Sequence, residues 1–149
     1  MHRTIHNKDD AEAVGKLISG RKKFPFTVKV TDGAARSLKQ NRLYRKWLAE
    51  IAEQKSDMTA AEWNGYCKLH FGVPIMRAAC AEYAEKYDRF IKRTYSYEQK
   101  LAIMTGDYGW PVTSEMNTKQ MKEFLDKVQM EFTAQGVRLT DPDKEKDNE

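Results

Sequence analysis

A chain of 149 residues, 40% hydrophobic and 32% charged, is long enough to close one core and carries a heavily charged surface. No apolar run approaches the ~20 residues a bilayer crossing needs, and no secretory apolar segment opens the chain. Cys67 and Cys80 have neither CxxC nor Cys/His spacing, so reduced thiols in a cytoplasmic protein are expected. The net charge of +4 is uneven: residues 1–48 hold 12 Lys/Arg against 4 Asp/Glu, residues 49–140 hold 12 against 13, and residues 141–149 hold 2 against 5. A basic excess confined to the N-terminal third points to an anionic partner, whether DNA, RNA or an acidic peptide.

In chain order, His2–His6 reads as a short edge strand. Asp9–Ser19 reads as a helix, with Ala11, Val14 and Ile18 on one face and Gly20 placed to end it. Arg21, Lys22 and Lys23 form a basic turn. Phe26, Val28 and Val30 then alternate with Thr27, Lys29 and Thr31, the pattern of a half-buried strand, and Asp32-Gly33 punctuates it. The next helix is expected over Ser37–Gln54, with Ser37 as N-cap and Gln40 three residues on, as in a capping box. Leu43, Trp47 and Ile51 recur four apart and make its apolar stripe. Lys39, Arg42, Arg45 and Lys46 fall mostly off that stripe, so their charges share a surface.

Thr59 and Glu62 repeat the capping-box spacing and start a helix through Trp63, Tyr66 and Leu69, which Gly72 and Pro74 are expected to break. Ile75 to about Thr94 returns to helical periodicity, with Met76, Ala79, Tyr83, Tyr87 and Phe90 as its buried stripe. Tyr95–Pro111 reads as irregular and aromatic. Asn117 with Gln120 caps a last helix carrying Met121, Phe124, Leu125, Val128 and Phe132, and Gly136 closes it. Val137 and Leu139 are then placed to pack back over it. The fold class expected is therefore α+β: an N-terminal strand-helix-strand unit, then a predominantly helical bundle, as one domain over 1–140. Residues 141–149 read as a disordered acidic tail.

The chemistry in these segments favours binding. A helix start rich in cations and amides suits phosphates, because its backbone N–H groups and dipole add to the side-chain charge. A metal-dependent nuclease needs clustered carboxylates. Glu50/Glu53 and Glu82/Glu85 are instead spaced along helices among lysines, and His2, His6 and His70 have no ligand spacing. No P-loop, GxGxxG or GxSxG occurs, and neither cysteine lies in a nucleophile motif. No metal or other cofactor is expected. Tyr95, Tyr97, Tyr108 and Trp110 lie near Lys92, Arg93 and Lys100, either as rings on which bases stack or as cover for the core. Trp47 and Trp63, on apolar faces, belong to the core.

Arg36-Ser37-x-x-Gln40-Asn41-Arg42, followed by Tyr44 and Trp47, resembles the R-S-x-x-Q-N-R signature of the NinB (Orf) family of phage and prophage recombination proteins. The ending resembles that family too: Thr113-Ser114, then Asn117, Thr118 and Met121 opening a helix, then Gly136-Val137-x-Leu139 and Pro142. The resemblance implies a homodimeric, non-catalytic recombination mediator. Such a protein binds single-stranded DNA and the host single-strand-binding protein, and helps to load a recombinase. Carried onto this chain, it marks Arg36, Gln40, Asn41 and Arg42. The wider expected nucleic-acid surface adds Arg21, Lys22, Lys23, Lys39, Arg45 and Lys46. An adaptor for an acidic peptide would use the same cations.

Overall fold

The computed structural model describes residues 3–30, 38–106 and 109–142, and these residues form an all-α fold. Helices α1 (Lys8–Ser19) and α2 (Leu38–Lys55) are followed by α3 (Ala60–Cys67), α4 (Val73–Ala79), α5 (Ala81–Tyr87), α6 (Tyr97–Thr105) and α7 (Thr118–Ala134). Two π-helical turns, Lys68–Gly72 and Asp88–Lys92, continue α3 and α5, and a 3₁₀ turn spans Thr113–Glu115.

The expected α+β class is overturned, because no sheet occurs among the described residues. Neither 3–6 nor 26–30 enters a ladder. Alternation supplies a strand with one apolar face, but a strand also needs a partner for its backbone and a surface to cover. Here Val28 is 52% and Val30 85% exposed. Phe26 is half-buried, with the Phe24 ring at 5.4 Å and the Arg21 guanidinium 4.9 Å above it. Helix α1 forms as its sequence dictates, with the Asn7 side chain accepting from the Asp10 amide at 2.9 Å. Its amphipathic face nevertheless leaves no residue buried.

One core runs through the bundle, and α2 and α7 supply its largest shares. Leu43, Tyr44, Trp47, Leu48 and Ile51 of α2 are buried, as are Met121, Phe124, Leu125, Val128 and Phe132 of α7. Both sets follow the three- and four-residue spacing of one helix face. Asn117 and Gln120 make the expected capping box. Gly136 adopts φ +83°, which a residue without Cβ reaches at no steric cost. The Val137 and Gly136 amides then return to the Phe132 and Thr133 carbonyls and close the helix. The chain beyond runs back along α2. Trp47 Nε1 donates to Thr140 O (2.7 Å), Gln54 exchanges two bonds with the Arg138 backbone, and Glu50 accepts from Thr140 N and Oγ1.

Three helical expectations are corrected. Gly72 and Pro74 do not break the chain, which passes from α3 into α4 through a widened turn with Val73 N–H bonded to Lys68 O. Such a turn removes the tight i→i−4 geometry that a proline ring obstructs. The helix expected over 75–94 is two, because Cys80 takes φ −139° and ψ 112° between α4 and α5. Its expected buried stripe fails at Ala79 and at Phe90, which are both exposed, while Ile91 is buried in the second π turn. Finally, α6 lies inside the stretch read as irregular. Ser96 and Gln99 start it with a capping box.

Candidate nucleic-acid interface

A cleft of ≈ 570 Å³ opens between α2 and the segment Gly109–Ser114, with α3 and its π turn beneath. Asn41, Arg42 and Arg45 line one side because they share the outer face of α2, opposite the Leu43–Trp47–Ile51 stripe. Thr113 and Ser114 line the other. The floor is polar. Tyr44 Oη donates to Asn64 Oδ1 at 2.6 Å, and Lys68, only 8% exposed, donates from Nζ to Met104 O at 3.1 Å. Beneath it the Cys67 thiol is pushed up to about 12 by burial, partly offset by a hydrogen bond with Tyr44. Burial raises the Tyr44 phenol as well. Both groups stay protonated at neutral pH, so among the described lining residues the fixed charges are those of Arg42, Arg45 and Lys68.

The far wall is a braced structure. Trp110 N donates to Ile103 O at 3.2 Å, and its indole Nε1 donates to Tyr83 Oη at 3.1 Å. Tyr83 Oη in turn donates to Pro111 O at 2.8 Å. The Trp110 ring lies 6.2 Å from those of Tyr83 and Tyr87, so this ring is tied into α5. Lys29 pairs with Glu115 at 2.9 Å and brings the N-terminal segment to the wall's 3₁₀ turn.

The structure separates the expected site residues into groups. Asn41, Arg42 and Arg45 meet in the cleft. Gln40 Nε2 donates to Thr118 O at 3.0 Å, so this amide joins α2 to the start of α7. Lys39 and Lys46 lie on α2 but do not line the cleft. Arg21, Lys22 and Lys23 are exposed between α1 and the extended segment, with Arg21 covering Phe26. Arg36 and the Ser37 cap lie outside the described residues, as do Tyr108 and residues 143–149 of the acidic tail.

Asn64 and Lys68 were not singled out from the sequence. The available signal was their i,i+4 spacing, which sets an amide and a cation on one face of an otherwise aromatic and aliphatic helix. His70 faces elsewhere, with Nε2 2.8 Å from Tyr97 Oη and its ring 4.2 Å from that of Tyr66. Burial lowers its pKa against the opposing pull of Glu131. Among the described residues no group of three or more His, Cys, Asp or Glu side chains could hold a metal ion. Glu82 and Glu85 pair with Lys86 and Arg89 along α5.

No described helix is long and apolar enough to cross a membrane. No known protein family, curated protein or solved structure matches the chain.

Proposed function

We propose that this chain is a recombination mediator without catalytic activity, which binds single-stranded DNA in the cleft between α2 and Gly109–Ser114. The observation carrying the reading is a convergence. The two sequence segments that resemble the NinB family lie more than 60 residues apart, yet they come together around one cleft. Asn41 and Arg42 face Thr113 and Ser114 across it, Gln40 bonds Thr118, and Trp47 bonds Thr140. Guanidinium groups contact phosphate without reading sequence, and amide and hydroxyl groups add hydrogen bonds to backbone or base. Under this reading the protein acts as a homodimer. Its protein partner is the host single-strand-binding protein, whose acidic segments would compete for the same cations.

Binding of a fluorescent single-stranded oligonucleotide across a salt series tests the proposal. With three contacted phosphates, affinity should fall roughly 20-fold between about 50 and 200 mM salt. An Arg42→Ala/Arg45→Ala variant should lose most of that binding and its salt slope while keeping its unfolding transition. A flat salt response, or undiminished binding by the variant, would overturn the assignment of DNA to the cleft.

A further inference from the structure

The aromatic residues flagged in the sequence divide in the structure: Trp110 braces the cleft wall, whereas Tyr95 and Tyr97 are 38% and 51% exposed. Phe90 joins them at 51% exposed. The second π turn is the cause. Ile91 is pinned in the core, and the amides of Thr94 and Tyr95 both return to its carbonyl, so the chain turns tightly around one buried anchor. Phe90 on one side of that anchor and Tyr95 beyond it are left facing water, whereas the Tyr97 hydroxyl is bonded to His70 Nε2 and its ring borders a separate hollow with Trp63 and Tyr66. Phe90 and Tyr95, two large exposed rings within six residues, are the kind of feature that marks a binding surface.

The charges around the rings specify the partner. Over residues 82–100, Lys86, Arg89, Lys92, Arg93 and Lys100 stand against Glu82, Glu85, Asp88 and Glu98, with Lys86 paired to Glu82 and Arg89 to Glu85. Asp88 is engaged by Arg77 at 2.8 Å, and that hydrogen bond holds its carboxyl below the usual range. Lys92 and Arg93 are exposed and make no ion pair among the described residues. The Arg89 guanidinium lies 5.3 Å above the Phe90 ring. Exposed rings interleaved with cations match the alternation of base and phosphate in a single strand.

We propose that Phe90 and Tyr95, with Arg89, Lys92 and Arg93, form a second contact surface for the same single-stranded DNA, on which bases stack after the strand leaves the cleft. The proposal rests on the DNA reading of the cleft. Helix α6 links the two places: it begins two residues after Tyr95, and Met104 near its end accepts the bond from Lys68 at the cleft floor. At 1.5 Å per residue Tyr97 and Met104 are about 10 Å apart along the helix axis, so only a strand longer than the cleft reaches both places.

The test compares two oligothymidylates on the full chain, one of roughly 4 nucleotides that fills the cleft alone and one of roughly 12 that reaches both surfaces. A Phe90→Ala/Tyr95→Ala variant should bind the longer strand about tenfold more weakly and the shorter one unchanged. A Tyr95→Trp variant should retain affinity, and its new indole should be quenched by the longer strand only. Unchanged long-strand affinity in the alanine variant would overturn the second surface. So would equal weakening for both lengths, which would assign the rings to the cleft. Failure of the unaltered protein to bind either strand would remove the DNA reading itself and this extension with it.

Discussion

Gly72 is the residue at which the floor of the cleft and its far wall touch. A Cβ there would stand 2.5 Å from Val112 Cγ1, with Phe124 Cε2 at 3.5 Å and Met116 Cε at 3.6 Å. Val112 is only 1% exposed, so it has no open space to move into. Gly72→Ala should therefore destabilise the protein by about 1–3 kcal/mol through overpacking and shift the wall that carries Thr113 and Ser114. Urea unfolding and oligonucleotide binding should both register the change. Gly106→Ala, where a Cβ would meet nothing within 4 Å, should leave both readings near the parent values. The sequence presents Gly72 as a helix breaker, because glycine before proline usually punctuates. Its role as a contact surface depends on Val112, forty positions away, which no local pattern reveals. Lys68 escaped notice for the same reason: its bond to Met104 O is a tertiary fact.

Among elements, those encoded locally were readable and those depending on distant partners were not. The α7 helix shows the readable kind, since cap, stripe and closing glycine all lie within its own neighbourhood. Asn117→Ala should cost about 1 kcal/mol, seen as a lower unfolding midpoint, by removing the bond to the Gln120 amide. The fraying should also loosen Thr118 O, the acceptor for Gln40, so DNA affinity should fall more than for a Thr59→Ala change in the other expected capping box. The strand over 26–30 was misread because alternation specifies a face, whereas pairing is supplied from elsewhere in the chain. The helical stripe through Phe90 was misread because it assumed 3.6 residues per turn. A π turn adds a residue without adding a turn, which carries Ile91 inward and Phe90 outward. Within the candidate site, the basic face of α2 was legible, while its opposing wall was visible only through the family resemblance.

For the whole molecule, the N-terminal segment meets the body through the Lys29–Glu115 ion pair but leaves much of its apolar surface uncovered. Helix α1 has an apolar face on which Val14 and Ile18 are only half-buried, and Phe24, Val28 and Val30 are 72%, 52% and 85% exposed. Covering these side chains against a second copy would remove apolar surface from water, which is the driving force of a homodimer. Light scattering should accordingly give twice the 17.3 kDa mass of one chain. A Phe24→Ser/Val28→Ser/Val30→Ser variant should give the single mass with the α2–α7 core still folding cooperatively. A monomeric parent protein at micromolar concentration would contradict the dimer.

The placement of the three tryptophans gives the molecule an optical property. Trp47 and Trp63 are 1% and 5% exposed; Trp47 is shielded in the interior, and Trp63 borders a separate hollow beside Tyr66 and Tyr97, away from the cleft. Trp110 alone among them lines the cleft, half-buried and held by Tyr83. Two indoles therefore lie off the cleft and supply the background, and the third senses the polarity and quenching of whatever occupies the groove. Occupancy of the cleft is written into the protein's own fluorescence, without any added dye.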